Sequence, residues 1–364
     1  MIGPNAFIRV DATRNIGVGH LRRCAVLAEA LVAAGYRVTV VRSARAEALL
    51  PELETRFTTM WLPDPTLEQA PDQPELRDAE DVAARIGPAG REPSWMIVDH
   101  YSLNEPWEAR LRADGHLLLA MDDFRNRRHS ADLLVSDSPI PFSPNLNSVA
   151  DAVALCGFQY ALLGAEFAYQ PMDDTGGAAR PRVVVTMGGS DPTNDTQKVC
   201  RALAAVSRRP PAAFSKVDVV AGPGYPQLDA LRPVVRDIPA SELHHAPPTL
   251  APLLRTADLV ITAGGNTLVE AIALGKPCLV VVVADNQAAV VEELRARDLI
   301  QVAGRSEDLD PEGLAASVDE VLSRLPSLRQ RVRERPVFDH LGSTRIIAAM
   351  QAVAAARQAV ADHA

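Results

Sequence analysis

Phe7-Ile8-Arg9-Val10-Asp11-Ala12-Thr13-Arg14-Asn15-Ile16-Gly17-Val18-Gly19-His20-Leu21-Arg22-Arg23 is the stretch that decides the fold. An apolar run ends at Asp11 and a loop with two glycines follows. From His20 onward Leu21, Cys24, Ala25, Ala28, Leu31 and Val32 recur at spacings of three and four, and Gly35 closes the pattern. This reads as strand, glycine loop and helix, with Gly35 just past the helix end. Gly17 and Gly19 let the loop backbone approach a ligand. Amides at the helix start favour an anion, and the positive dipole end favours a neutral His20 able to accept a proton. The competing reading is a tight turn with a surface histidine, and the glycine pair alone does not decide between them.

The same grammar recurs twice. Val183-Val184-Val185-Thr186-Met187 runs into Gly188-Gly189-Ser190-Asp191-Pro192-Thr193, where Ser190 or Asp191 is a natural N-cap and Pro192 a natural first helical residue. Leu259-Val260-Ile261-Thr262-Ala263 runs into Gly264-Gly265-Asn266-Thr267 and a further helix. A diphosphate fits the amides of that turn without a metal. Glu270, one turn into the helix, either completes a capping box with Thr267 or accepts the hydroxyls of a ribose. Asn286 and Gln287 follow another apolar strand, where polar groups face a ligand. Trp95–Asp99 is a buried strand, and His100 and Tyr101 after it either touch the ligand or close the loop. Asp122 and Asp123 follow a further strand and are candidates to line the cleft. Asp308-Leu309-Asp310 reads as a helix cap.

Further apolar runs at 37–41, 116–121, 132–135, 217–221, 277–283 and 299–302 alternate with helical patterns. They are continuously apolar, as buried parallel strands are. The expected fold class is therefore α/β, with two Rossmann-like doubly wound domains facing a cleft and ligands at the carboxyl ends of the strands. Residues 171–180, polar and Gly/Pro-bearing, read as a linker between an N-terminal domain, 1–170, and a C-terminal domain, 181–364. Residues Pro63 to Pro93, rich in proline and acids, read as a loosely patterned excursion.

Length and charge narrow the function. The 364 residues fit two domains, and 47 % hydrophobic with 23 % charged residues is a globular composition. The net charge of −9 gives no electrostatic help in holding nucleic acid. The opening residues read as a strand and not as a signal peptide, and no apolar run has the length of a membrane span. Cys24, Cys156, Cys200 and Cys278 are far apart and read as reduced thiols of a cytoplasmic protein. No C-x-x-C, H-E-x-x-H, Walker A or G-x-G-x-x-G sequence occurs, so no metal site and no cofactor is expected.

At these residues the chain resembles the PseG family, the UDP-2,4-diacetamido-2,4,6-trideoxy-β-L-altropyranose hydrolases of pseudaminic acid synthesis. The resemblance runs over almost the whole chain. It rests on Asp11 with Ile16 to Cys24, on Val98 to Leu103 with Trp107-Glu108, on Asp122-Asp123 and on Leu162 to Phe167. It continues through Gly188 to Pro192, Gly265-Asn266-Thr267 with Glu270, and Asn286-Gln287. Ser136-Asp137-Ser138-Pro139 departs from it. The family is similar to MurG-type glycosyltransferases, so the resemblance implies a GT-B fold. It also implies UDP in the C-terminal half with Glu270 at the ribose, and His20 as the catalytic base. The implied reaction is metal-independent attack of water at the anomeric carbon of a UDP-sugar. The product would be destined for nonulosonic acids that glycosylate flagellin. Asp11, Gly17, Gly19, Arg22, His100, Tyr101, Gly188, Gly189, Ser190, Gly265, Asn266, Thr267, Glu270, Asn286 and Gln287 are the expected substrate contacts. A monomer that binds neither nucleic acid nor membrane is expected. The alternatives are a glycosyltransferase on the same fold, using an alcohol acceptor, and a UDP-sugar 2-epimerase.

Overall fold

The computed structural model describes residues 3–11, 19–43, 55–63, 74–90, 94–143, 152–169, 180–209 and 213–363. Gly17 and all but the last residue of the expected linker lie outside these. The chain divides into two compact units. One comprises Met1–Thr13, His20–Leu162 and His340–Ala364, and the other Arg14–Gly19 and Leu163–Asp339.

The first unit is built on a seven-stranded sheet in the order β3-β2-β1-β4-β5-β6-β7. The strands are β1 (Asn5–Val10), β2 (Arg37–Ser43), β3 (Thr58–Leu62), β4 (Trp95–Asp99), β5 (Leu117–Met121), β6 (Leu133–Ser136) and β7 (Val153–Cys156). All pairings are parallel. Every residue of β4, β5 and β6 is buried, which explains their unbroken apolar sequence.

Within the excursion expected at Pro63–Pro93, the described residues form helix α2 (Pro74–Ile86), which buries Ala79, Val82 and Ala83. It is pinned from its polar side. The buried Arg9 of β1 donates from Nε and Nη2 to Asp78 at 3.1 and 2.7 Å, and Trp107 Nε1 donates to the same carboxylate at 2.8 Å. Trp107 lies on α3 (Glu105–Ala113) and is fully buried. One carboxylate thus ties a strand and two helices together.

The loop after β5 is held by a second buried cluster. His129 lies between Glu108 (Nδ1, 2.8 Å) and Asp122 (Nε2, 3.0 Å), with no exposure of any of the three side chains. Burial opposes its charge, but the two carboxylates outweigh that and push it up to about 9. A raised folded-state value means this cluster stabilises fully below about 6.5, the ordinary histidine value, and loses its effect as pH rises through about 9. Urea midpoints of the wild-type chain should therefore approach those of His129→Gln between pH 7 and 10. A constant gap across that window would contradict the charged cluster.

The second unit has a six-stranded parallel sheet in the order β10-β9-β8-β11-β12-β13. Its strands are β8 (Arg182–Thr186), β9 (Lys216–Ala221), β10 (Ser241–His245), β11 (Leu259–Ala263), β12 (Cys278–Val282) and β13 (Ile300–Arg305). Counted within the unit this is 3-2-1-4-5-6, the Rossmann order. Val183, Val185, Val219, Ile261, Leu279 and Val281 of the sheet share one core with Leu203 of α4 (Asp195–Ser207) and Val318 and Val321 of α9 (Pro311–Glu334). Asp310 is the N-cap of α9 and accepts from the Gly313 amide at 2.7 Å, the capping role read from the sequence.

The last helix, α10 (Gly342–Asp362), belongs to the first unit and not to the second, as the expected boundary of 181–364 had it. Its Ile346, Ile347 and Met350 are buried, and Arg345 donates to the Gln159 carbonyl at 2.8 Å. A Cβ on Gly342 would lie 2.2 Å from the Ala161 carbonyl oxygen, so the helix start meets that backbone where no side chain fits. All four cysteines are free. Among the described residues no helix is long and apolar enough to cross a membrane.

Candidate active site

In the first sheet the strand order reverses between β1 and β4, and ligands of such sheets sit at the carboxyl ends beside that switch point. Val10 pairs with Asp99 in register, so Asp11 and His100 follow from adjacent strand ends. Helix α1 (Gly19–Ala33) brings His20 and Arg23 to the same place.

The resulting cluster is tight. His20 Nδ1 lies 2.5 Å from Asp99 Oδ1, with both residues buried. Arg23 grips both oxygens of that carboxylate, Nε to Oδ2 at 2.6 Å and Nη2 to Oδ1 at 2.5 Å. Its third nitrogen, Nη1, donates to both oxygens of Asp123 at 2.9 Å. Burial opposes the charge on Asp99, yet Arg23 and His20 hold its carboxyl well below the usual carboxylate range. A carboxylate at Nδ1 assigns the ring proton there and leaves Nε2 as the basic nitrogen. Tyr101 packs edge-on against the imidazole, with ring centroids 4.4 Å apart, and Phe124 packs against Tyr101 in turn.

His100 is the second imidazole of the cluster. Its Nδ1 accepts from the Ser102 amide at 3.1 Å, so Nε2 carries the proton, 3.7 Å from Asp11 Oδ2. Burial, followed by the nearby Arg9, lowers His100 to about 4, so it is neutral at physiological pH. Asp11 accepts from the Ser43 amide at 2.8 Å and pairs with Arg9 at 2.8 Å. Burial works against its charge, but these partners hold its carboxyl below the ordinary range.

Of the expected contacts, then, Asp11, His20, His100 and Tyr101 meet in one cluster. Arg22, half-buried, makes no side-chain hydrogen bond among the described residues, and it is Arg23 that joins the cluster. Gly19 opens α1, and Gly17 is outside the described residues. Arg23 and Asp99 were not singled out from the sequence. A charged residue closing the buried strand Trp95–Asp99 was the available signal. Asp122 belongs to the His129 cluster beneath the loop.

The second unit repeats the switch point between β8 and β11. Gly188, Gly189 and Ser190 turn after β8, and the Gly224 amide donates to the Gly189 carbonyl at 2.8 Å. A Cβ on Gly222 would meet the Gly188 and Gly189 oxygens at 2.5 and 2.4 Å, so a glycine is required there. The helix starts later than expected. Asp191 accepts from the amides of Asp195 and Thr196 at 2.8 Å each, while Asn194, in the left-handed region, precedes the first helical residue. Pro192 therefore lies in an extra turn and not at the first helical position.

After β11, Gly265 occupies the N-cap of α7 (Asn266–Ala273) with no side-chain cap. Thr267 is already inside the helix, at its second residue, so it is not the N-cap that a capping box with Glu270 requires. Gln287 braces this turn, its Oε1 accepting from the amides of Gly264 and Val283 at 3.1 Å. Glu270 is buried one turn into α7, and Asn286 is half-buried in the 3₁₀ turn Asp285–Gln287.

Among the described residues, Asp218, Glu242 and His244 are close enough to share a metal ion. Cations already occupy that position. Arg182 and Lys216 contact Asp218 at 2.9 and 3.0 Å, and Lys216 contacts Glu242 at 2.6 Å. The group reads as an ion-pair network on β9 and β10.

With this geometry in place, comparison with known proteins defines the fold. The model of the glycosyltransferase family 28 C-terminal domain matches residues 183–341, which include both glycine turns of the second unit and Glu270. Over 171 residues the chain is 30 % identical to the spore coat polysaccharide biosynthesis protein SpsG of Bacillus subtilis, covering 46 % of this chain and 49 % of that protein. Over 283 residues it is 23 % identical to the uncharacterized protein MJ1062 of Methanocaldococcus jannaschii, covering 75 % and 54 %. The chain thus spans about half the length of the curated relatives it matches. Among solved structures, Acinetobacter baumannii MurG is similar with a TM-score of 0.66 at 14 % identity, over 96 % of this chain and 99 % of that one. The calicheamicin glycosyltransferase CalG4 is similar with a TM-score of 0.62 at 15 % identity, over 97 % and 98 %. The chain has the GT-B fold of these glycosyltransferases.

Proposed function

We propose that this chain is a UDP-sugar-dependent glycosyltransferase. Its second unit takes the nucleotide, and His20 of the first acts as the general base. The observation that carries this reading is the match of residues 183–341 to the C-terminal domain of glycosyltransferase family 28, over the stretch that holds Gly188–Ser190, Gly265–Thr267 and Glu270. In the reaction Nε2 of His20 removes the proton of an acceptor hydroxyl. The acceptor oxygen bonds to the anomeric carbon as the bond from that carbon to the β-phosphate oxygen breaks, and UDP leaves with the electron pair. A single displacement inverts the anomeric centre. The amides opening α7 stabilise charge on the departing diphosphate without a metal.

A second reading keeps every role and makes water the acceptor. It rests on the resemblance of the segment around His20 to the PseG hydrolases and places the product in nonulosonic acid synthesis. One experiment separates the two. If UDP release needs an added alcohol acceptor, the chain is a transferase. If release runs at full rate in buffer alone, it is a hydrolase. Neither activity, with any UDP-sugar, contradicts both.

The nucleotide site has its own test. Glu270→Ala should weaken UDP binding by about 1.5–3 kcal/mol, the usual worth of a hydrogen bond to a charged group. Calorimetry with UDP reads this directly. Unchanged affinity with a lower melting temperature would reduce Glu270 to a structural residue.

A further inference from the structure

We infer that Tyr225 is a positioning residue of the nucleotide site. Its hydroxyl latches Asn194 and so holds the glycine turn after β8 in a backbone conformation the turn would not keep by itself. The inference rests on the reading of the second unit as the UDP site. Between Gly188 and Asn194 the backbone enters the left-handed region three times, at Gly188 (φ +88°), Asp191 (+42°) and Asn194 (+55°). Glycine takes such angles freely, whereas Asp and Asn take them at some cost. Strain of this kind persists only where the surroundings over-determine it, and it clusters at ligand-binding loops.

The loop after β9, residues 222–227, supplies the restraint. Its Gly224 amide donates to the Gly189 carbonyl at 2.8 Å, and Gly222 lies so close to the carbonyls of Gly188 and Gly189 that no Cβ fits. The buried Tyr225 then donates from its hydroxyl to Asn194 Oδ1. Asn194 Nδ2 donates in turn to Gln227 Oε1 at 3.1 Å, on the exposed side. Beyond Asn194 the chain is fixed again. Asp195, the buried first residue of α4, accepts from Ser306 Oγ and from Lys198 Nζ at 2.8 Å each.

The turn is thus held at Gly189 and at Asp195, and Tyr225 reaches it between these two posts. The latch acts through Gly188–Ser190 and needs no contact of its own with the nucleotide. A turn already in its bound shape spares the ordering that binding would otherwise require, so loosening it should cost affinity.

The test is calorimetric titration with UDP of the wild-type chain, Tyr225→Phe, Asn194→Gly and the double variant. Binding stoichiometry reports the folded fraction in each. Each single change should weaken UDP binding about three- to tenfold, the worth of one hydrogen bond. The double variant should lose no more than about twice the larger single loss, because both changes open the same latch. Ser241→Ala is the control for general loosening, since it removes a 2.6 Å hydroxyl bond to the Val235 carbonyl at the edge of the same sheet. Its UDP affinity should match wild type. Unchanged affinity in both single variants, losses that multiply in the double, or an equal loss in Ser241→Ala would overturn the inference. If Tyr225→Phe does not fold, Asn194→Gly set against Ser241→Ala decides. A wild-type chain that binds no UDP removes the nucleotide reading and this inference together, whereas wild-type binding with unchanged variants removes this inference alone.

Discussion

Replacing His20 with asparagine or alanine is expected to lower turnover by about 10²–10⁴-fold, the range for loss of a general base. UDP affinity should remain nearly unchanged. His20 belongs to α1 of the first unit, whereas the glycine turns matched to the glycosyltransferase domain belong to the second. Initial rates of UDP release, set beside calorimetric UDP binding, read the two effects separately. Activity within a factor of about three of wild type would remove His20 from the chemistry, because a lost base costs far more than that.

Asp99→Asn should be nearly as damaging to rate and, unlike the His20 change, should also lower stability. An amide in place of the carboxylate offers no charge to Arg23 and no reason for the ring proton to stay on Nδ1. Amidating the carboxylate behind a catalytic histidine in the serine-protease template costs on the order of 10⁴-fold through the wrong tautomer. Breaking a buried ion pair costs about 3–5 kcal/mol in addition. The two losses are separable, since the variant can be assayed well below its melting point. A folded Asp99→Asn chain with near wild-type rate would show that the dyad orients nothing.

The parts of the fold that the sequence makes plain are those where burial is complete. Strands β4, β5, β11 and β12 are buried at every position and read as unbroken apolar runs. The strands that reading missed, β3, β7 and β10, are all sheet edges. There one side faces water: Trp61 and Val153 are 43 % and 45 % exposed, and β10 has no buried residue. Helix α2 was hidden for a different reason. Its acids, and the prolines around it, look like a loop until Asp78 finds Arg9, sixty-nine residues away.

The site divides along the same line. His20 and the glycine turns announce themselves through local chemistry, a loop that needs glycine and a helix start that attracts anions. Arg23 and Asp99 do not, because their partnership spans seventy-six residues, and each looks locally like a charged residue at an element's end. Thr267 with Glu270 erred in the other direction. The spacing suits a capping box, but the helix begins two residues too early for it, at Asn266 with Gly265 as N-cap.

The most direct test of the central claim is the fate of the bond between sugar and nucleotide. The chain is incubated with a UDP-sugar and EDTA in ¹⁸O-labelled water, with and without an alcohol acceptor, and the UDP formed is examined by ³¹P NMR. UDP should appear with no ¹⁸O shift at its β-phosphorus, since the attack falls on the anomeric carbon whichever acceptor is used. Failure to form UDP from any UDP-sugar, or ¹⁸O at the β-phosphorus, would contradict the account.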